Sequence, residues 1–344
     1  MNAIGSAIGW RAAKSKVKKR MVKKQDTRIA IMVDRATACV DITAAKNHQI
    51  IASQSLSIPI AMPNEKTVDM TIDDPIAAIV ATAVDDFCQQ HQLKNPACTL
   101  MLPASSYQML LVEAPPVKQE ELAEALQWKV KDLINTAIED SIIDGFLLPD
   151  DAYRGRQKMA YAVVANRAEL QLIANSLETI NVDLDRIEVP ELVLLRLLEE
   201  YPRESHTEMI VVVGRQGGFL MVVADQALYL SRVNDISEQA LEAETEGKTE
   251  TERNSNGVAN NRQVEHLILE IQRSRDYFES QIGKGTIDRI LLAPIQSFAS
   301  TLSSEVQERL GVSVELIDPS VITEFTLARQ GGEGLLLASA AKAA

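Results

Sequence analysis

The sequence is short of the residue patterns from which most enzyme and metal sites are built. Its four histidines, His48, His91, His206 and His266, are isolated from one another, and no zinc-ligand spacing is present. It has no GxSxG elbow and no GxxxxGK[ST] loop. Its carboxylate clusters fall at predicted helix caps, on helix faces or in loops. The sequence therefore predicts no metal site and gives little support to an independent enzyme.

Aromatic residues, paired cysteines and long apolar runs are also scarce. Aromatic content is 4% and hydrophobic content 46%, so the core is mainly aliphatic, which is typical of α/β layers. Cys39, Cys88 and Cys98 form no CxxC pair, which indicates buried, reduced cytosolic thiols. No apolar run approaches the ~18 residues of a membrane span, and no secretory signal follows the basic start. An α/β protein of the reducing cytosol is expected.

Charge is distributed unevenly along the chain. Residues 1–25 contain eight Lys or Arg residues and no acid, whereas the whole chain carries −13. The remaining residues therefore carry −21, which is −13 minus the +8 of this segment. An acidic body argues against nucleic acid as the main ligand, because phosphate binding needs a basic face. We interpret 1–27 as a flexible basic arm that is solvated or contacts an anionic membrane or acidic partner through Trp10, Lys18, Lys19 and Arg20.

Apolar spacing predicts alternating strands and helices through the rest of the chain. Residues 28–42 predict a strand, a tight turn and a second strand. Further strands are predicted at 158–165, 184–189, 209–213, 219–223, 228–233, 287–292 and 312–317. Helices are predicted at 76–91, 167–180, 191–200, 298–310 and 334–343. Residues 237–262 are acidic and nearly free of large apolar residues, which predicts a flexible loop.

The stretch from 100 to 149 carries the most specific pattern. Two apolar runs, 100–102 and 109–112, flank a turn and predict a hairpin. A helix follows, since Leu122, Leu126, Val130 and Leu133 recur at helical spacing. Residues 142–148 predict another strand. Periodicity leaves open whether Trp128 belongs to the core or to the surface.

Several segments of this stretch resemble the PilM family of cytoplasmic pilus-assembly proteins. They are Leu126-Gln127-Trp128-Lys129, Leu133-Ile134, Ile138-Glu139-Asp140 and Ile143-Asp144, and the helix at 270–278 resembles the family as well. The resemblance implies an α/β, actin-like (ribonuclease H-like) two-lobed ATPase fold with an extra subdomain of the PilM or FtsA type. It implies a first lobe at 28–96 and 182–203, an inserted subdomain at 97–181, and a second lobe at 204–344.

The resemblance also implies a nucleotide site, from which this sequence departs in three loops. Met32 stands where the first phosphate loop has Asp, and Asp34 stands where it has Gly. Val212 stands where the second phosphate loop has Asp, just before Gly214. Ala293-Pro294-Ile295-Gln296 replaces the glycines of the adenosine loop, which removes backbone space and one amide donor.

We therefore expect a degenerate site without a cofactor, with an active Mg-ATP site as the alternative. The residues expected to line it are Asp34, Gly214, Arg215, Gly217 and Gly218. The segment from Gly214 to Gly218 alone is equally typical of an ordinary glycine-rich β-turn. Carboxylates that organise magnesium are missing from both phosphate loops, so weak or absent ATP hydrolysis is predicted.

For function, the resemblance implies a scaffold that captures the short cytoplasmic tail of a PilN-like inner-membrane protein. Trp128, Leu133 and Ile134 are the expected contacts, near a groove between the first lobe and the subdomain. Other pilus-machinery proteins, the inner-membrane surface and a second copy of the chain are further expected partners. One alternative is an active actin-like ATPase that switches assembly of the machinery. Another is a GspL-type secretion protein, which would continue into a membrane span beyond Ala344.

Overall fold

The computed structural model describes the chain in nine stretches. These are residues 27–35, 37–58, 75–153, 157–200, 207–241, 262–293, 299–321, 327–328 and 331–343. The strands are β1 (Thr27–Asp34), β2 (Cys39–Lys46), β3 (Gln49–Ser57), β4 (Ala97–Met101), β5 (Tyr107–Glu113), β6 (Ser141–Leu147), β7 (Met159–Asn166), β8 (Asp183–Glu188), β9 (Thr207–Gly214), β10 (Gly217–Ala224), β11 (Ala227–Asn234), β12 (Arg289–Leu292) and β13 (Ser313–Leu316). The helices are α1 (Pro75–Gln90), α2 (Leu122–Val130), α3 (Arg167–Thr179), α4 (Pro190–Glu200), α5 (Arg262–Tyr277), α6 (Ala299–Leu310) and α7 (Gly331–Lys342).

Two five-stranded sheets share one topology. The first has the order β3-β2-β1-β4-β8 and the second the order β11-β10-β9-β12-β13. In each, three consecutive strands form an antiparallel meander, and two later strands add in parallel beside its first strand. The two sheets define two lobes. The β1–β2 turn and the β9–β10 turn therefore occupy equivalent positions in the two lobes.

The aliphatic composition explains why these sheets lie at the centre of the lobes. Every residue of β9 and of β10 is buried, as expected for apolar strands that are covered on both faces. In the first lobe, α1 packs against α3, and Val84, Phe87 and Leu177 join the strands in one core. The aliphatic α/β core that the composition predicts is confirmed.

Helix α7 lies between the two lobes. It contacts β1 and β2 of the first lobe, β9 of the second lobe, and α4. Its buried residues are Gly332, Gly334, Leu335, Leu336, Leu337, Ala338, Ala340 and Ala341. A helix that is apolar around its whole circumference is suited to burial on all sides, and its small residues allow close approach of both lobes. This helix joins the cores of the two lobes.

The third sheet belongs to the inserted subdomain. It is antiparallel with the order β5-β7-β6, and α2 packs against it through Leu122, Leu126 and Val130. The predicted hairpin of 100–102 with 109–112 is wrong, because β4 pairs with β1 and β8 whereas β5 pairs with β7. All five residues of β4 are buried, and this strand lies between β1 and β8 in the first sheet. The sheet of the subdomain therefore begins at Tyr107.

Two other local predictions need correction. Strand β3 was not predicted, since its alternation is weak and Gln49, Ile51 and Ser55 are exposed at the edge of the first sheet. Leu133 lies beyond the end of α2 and is 56% exposed, so it does not continue the buried face of that helix. The missed strand and the exposure of Leu133 have one cause: burial depends on which other elements cover a residue, and local spacing does not show this.

The sequence predicts no membrane span and buried cysteines. In the parts of the chain that the structure describes, no helix is both long enough and apolar enough to cross a bilayer. Cys39, Cys88 and Cys98 are free and buried, as predicted. Burial, and then the nearby Asp85 carboxylate, raise the pKa of the Cys88 thiol to about 11. The Cys88 thiol is therefore a poor nucleophile at neutral pH.

Candidate functional site

The turn between β1 and β2 is held by one of the predicted site residues. Asp34 is 3% exposed, and its carboxylate accepts hydrogen bonds from the backbone N–H and the hydroxyl of Thr37, at 3.3 and 2.6 Å. Ala38 adopts a positive φ of 51° as the chain turns into β2. Asp34 thus serves as the cap of its own turn, and its backbone does not have the freedom of the glycine expected there.

Both positions at which the family pattern has Asp are part of the core. Met32 on β1 is 1% exposed, and Val212 on β9 is 2% exposed. Both belong to the same apolar cluster as the residues of α7. Met32 pairs across the sheet with Asp41, which is the fully buried carboxylate at this end of the first lobe.

The β9–β10 connection is a two-residue β-turn with Arg215 and Gln216 at its tip. Gly217 has a φ of +126°, a backbone conformation that favours glycine. At Gly214 a Cβ atom would lie 2.8 Å from the backbone carbonyl oxygen of Gly217. Glycine is therefore required here by the tight β9–β10 turn itself.

Arg215 reaches from this turn into the other lobe. Its guanidinium forms an ion pair with Asp41 on β2, and its Nη1 donates to the hydroxyl of Thr37 at 3.4 Å. Its Nε lies 3.7 Å from Glu333, whose carboxylate also accepts from the backbone N–H of Arg215 at 3.3 Å. The predicted residues Asp34 and Arg215 are thus brought together, through Thr37, with Asp41 and Glu333, which the sequence analysis missed.

The space between the two turns is acidic. Three carboxylates, from Asp34, Asp41 and Glu333, gather around one guanidinium. Burial lowers the pKa of Arg215, but Asp41 and Glu333 raise it, and the net shift is upward, so the guanidinium stays charged. We name these four residues, together with Thr37, the cleft cluster.

A cavity of about 540 Å³ adjoins the cleft cluster. It is lined by Ala104, Ser105, Gln216, Gly217, Val233, Asn234, Asp235, His266 and Glu270. Its charged residues include two carboxylates, so it continues the acidic character of the cleft. Within the described stretches, no group of three or more His, Cys, Asp or Glu residues has an arrangement that could hold a metal ion.

The subdomain presents the partner residues that the sequence singles out. Trp128 is 77% exposed and Leu133 is 56% exposed, which settles the open question about Trp128 in favour of the surface. Ile134 is partly buried against the core of the subdomain. At Gly145 on β6, a Cβ atom would meet the Leu126 side chain at 2.3 Å, so this glycine allows α2 to lie directly on the sheet. Trp128 and Leu133 therefore belong to a subdomain whose helix packs tightly against its sheet.

A buried polar junction connects the subdomain with both lobes. Glu191, at the first turn of α4, is fully buried and accepts a hydrogen bond from the Tyr107 hydroxyl of β5 at 2.6 Å. The Ser231 hydroxyl of β11 donates to the same carboxylate at 3.3 Å, and the Ser231 backbone N–H donates to Tyr161 of β7 at 2.8 Å. Burial raises the pKa of Glu191, and the hydrogen bond from Tyr107 offsets only part of this rise.

Three predicted regions lie wholly or mostly outside the described residues. They are the basic arm, with Trp10, Lys18, Lys19 and Arg20, the acidic loop of 237–262 except 237–241 and 262, and all of the adenosine-loop segment except Ala293. Gly218, the last predicted site residue, pairs with Val213 inside the second sheet, and a Cβ atom there would lie 2.0 Å from the backbone carbonyl oxygen of Val212.

No protein-family model matches the sequence, and no curated protein matches it either. Solved structures do match. The chain is similar to a chain of the "PilM-PilN type IV pilus biogenesis complex", with a TM-score of 0.67 and 16% identity over 92% of this chain and 97% of that one. It is also similar to a Bacteroides thetaiotaomicron protein with an actin-like ATPase fold and unknown function, with a TM-score of 0.51 and 10% identity over 86% and 92%.

These similarities, together with the two lobes of equal topology, establish the class of protein. The chain has the actin-like ATPase fold, as the resemblance implied. At such low identity the comparisons show the fold, and the function must be argued from the surfaces and the cleft.

Proposed function

We propose that this protein is a cytoplasmic scaffold for assembly of a type IV pilus, of the MshI type that serves mannose-sensitive haemagglutinin pili. Its subdomain binds the cytoplasmic tail of a PilN-like, MshJ-type inner-membrane protein. The observation that carries this proposal is the exposure of Trp128 and Leu133 on an inserted subdomain. A large apolar side chain that is exposed to this extent is a candidate anchor for a partner.

The subdomain also offers the backbone geometry for a short extended peptide. Among the described residues, β5 and β6 form the two edges of its three-stranded sheet. An extended tail can add to such an edge through main-chain hydrogen bonds, while apolar anchors supply specificity. Trp128 is the strongest anchor candidate, because tryptophan is enriched among residues that dominate binding energy.

Replacing Trp128 by Ala is expected to weaken binding of a synthetic partner tail by about 2 kcal/mol, or roughly 30-fold. Calorimetric titration of the full chain measures this loss. Leu269→Ala is the matched control, because Leu269 is 41% exposed but lies on α5 of the second lobe. Equal affinity of the Trp128→Ala variant and the wild type would place the tail elsewhere.

We further propose that the cleft does not hold Mg-ATP. A triphosphate between the two turns would meet the carboxylates of the cleft cluster, and Arg215 is already paired with Asp41. The same calorimeter is expected to record no heat when Mg-ATP is added at micromolar to millimolar concentration. Micromolar binding would contradict this part of the proposal and would favour the nucleotide-switch alternative.

The double variant Met32→Asp, Val212→Asp is expected to leave ATP binding absent. Both positions are buried, so the new carboxylates would enter an apolar core and not an open phosphate site. The measurement is the rate of ATP hydrolysis by the purified double variant, because hydrolysis requires that ATP binds. Efficient hydrolysis would show that the adenosine-loop segment is competent after all.

A further inference from the structure

At the cleft, a charged arginine side chain of the second lobe contacts the first lobe. Arg215 leaves the β9–β10 turn of the second lobe and pairs with Asp41 on β2 of the first lobe. The Asp41 side chain is fully buried, and that of Arg215 is 17% exposed. An ion pair with little access to water keeps most of its attraction, whereas an exposed pair loses it to screening.

Both ends of this pair are fixed by further contacts. On the first lobe, Thr37 accepts from Arg215 and donates to Asp34, which holds the β1–β2 turn in place. On the side of α7, Glu333 accepts from the backbone of Arg215 and lies beside its Nε. The guanidinium therefore has partners on three separate elements, which matches the several donors of its planar fork.

Other polar contacts between the halves lie around the subdomain and along β3, where the Ala328 backbone N–H donates to the Ser53 hydroxyl at 3.0 Å. They include Tyr161 with Ser231 on β11, and Lys284 with Asp151 at 2.5 Å. The buried residues of α7 are glycine, alanine and leucine, whose side chains pack between the lobes but form no hydrogen bonds. Arg215 thus supplies a charged, directional contact between the lobes at the cleft cluster.

We infer that Arg215 is an interlobe latch that holds the two lobes in one closed arrangement without any bound ligand. The positive charge comes from the protein's own guanidinium, and it holds together the β1–β2 turn, the β9–β10 turn and the start of α7. Loss of this charge leaves Asp41 buried and unpaired, and the cleft side of the lobes separates while the junction around the subdomain persists. The latch does not rest on the proposed pilus function.

The experiment measures the distance between the lobes. Spin labels at Ser57→Cys, on the last residue of β3, and Asp235→Cys, just after β11, report across the cleft from two exposed positions. The three native cysteines are buried and thus protected from labelling. The latch predicts one narrow distance distribution in the otherwise wild-type protein, and a broader distribution shifted to longer distances for Arg215→Ala.

A matched control separates latching from general stability. Arg289 is also a nearly buried arginine in an ion pair, but its partners Glu208 and Glu315 lie in the same lobe. Arg289→Ala is expected to lower the melting temperature while the interlobe distance remains that of the wild type. Asp41→Asn is expected to reproduce the broadened distribution of Arg215→Ala, and Arg215→Lys is expected to give an intermediate one.

An unchanged distance distribution in folded Arg215→Ala would overturn the latch and would assign closure to the packing of α7. If Arg215→Ala does not fold, as judged by circular dichroism, the milder Asp41→Asn and Arg215→Lys variants decide the matter. Wild-type distributions in both of those variants would reject the latch. The peptide and ATP titrations are separate readouts, so the outcome here is independent of theirs.

Discussion

Arg289→Ala is expected to lower the free energy of unfolding by about 3–5 kcal/mol. Arg289 donates two hydrogen bonds to one oxygen of Glu208, at 2.9 and 2.6 Å, and a third to Glu315 at 2.7 Å. The Glu208 side chain is fully buried, so truncation of Arg289 leaves a carboxylate in a dry site. The cost follows mainly from the loss of the Arg289 cation beside that buried carboxylate and less from the net strength of the pair.

Denaturant titration of the wild type and the variant measures this change. The matched control is Arg273→Ala, because Arg273 pairs with Glu270 at 2.8 Å but is 59% exposed. An exposed pair of this kind contributes about 0–1 kcal/mol, so the control should remain close to the wild type. Similar small effects for both variants would show that the buried Glu208 carboxylate does not depend on Arg289 for its stability.

Glu191→Ala is expected to cost about 2–4 kcal/mol and to loosen the subdomain from both lobes. The substitution removes the acceptor for the Tyr107 and Ser231 hydroxyls and leaves a cavity at the fully buried first turn of α4. Denaturant titration measures the loss. Hydrogen exchange at β5 and β7 should rise more than exchange in the second sheet. Uniform exchange across the molecule would contradict the assignment of Glu191 to a junction.

Glu191→Gln is expected to change how the free energy of unfolding depends on pH. Burial raises the pKa of Glu191 in the folded state above that of the unfolded chain, which is about 4.3. Its stabilising contribution is therefore complete below about pH 4.3 and is lost as the pH rises through the folded-state pKa. Glutamine keeps an acceptor for Tyr107 and has no charge to bury, so the variant should gain stability relative to the wild type at higher pH.

The difference in unfolding free energy between Glu191→Gln and the wild type is the measurement, taken at pH 5 and at pH 8. Titration of all other groups cancels in this difference. We expect the advantage of the variant to be larger at pH 8. A difference that does not vary with pH would mean that the pKa of Glu191 is not raised in the folded protein.

Most of the elements could be predicted because local spacing determines them. Helix α1 was expected at 76–91 and lies at Pro75–Gln90, and β9 was expected at 209–213 and lies at Thr207–Gly214. Both are long, strongly apolar segments whose burial follows from their own residues. Strand β4 was equally apolar, but its partner was misjudged, because pairing in a sheet depends on which strand lies beside it and not on which precedes it.

Only some residues of the candidate site could be predicted from the sequence. The glycine-rich turn pointed to Gly214 and Arg215, and the first turn pointed to Asp34. Nothing in the local pattern marks Asp41 or Glu333, which are 174 and 118 residues away from Arg215 in the chain. The small residues at the start of α7 were a usable signal, since Gly332 and Gly334 flank Glu333 and permit its close approach.

The sequence by itself determined the aliphatic α/β layers and the order of most strands and helices. These are properties of composition and short-range periodicity. Only the tertiary structure decided that Arg215 pairs with Asp41 across the cleft and that Trp128 faces solvent. Contacts between lobes depend on how two separately formed sheets meet around α7, and exposure depends on which neighbours cover a face; neither is encoded in local spacing.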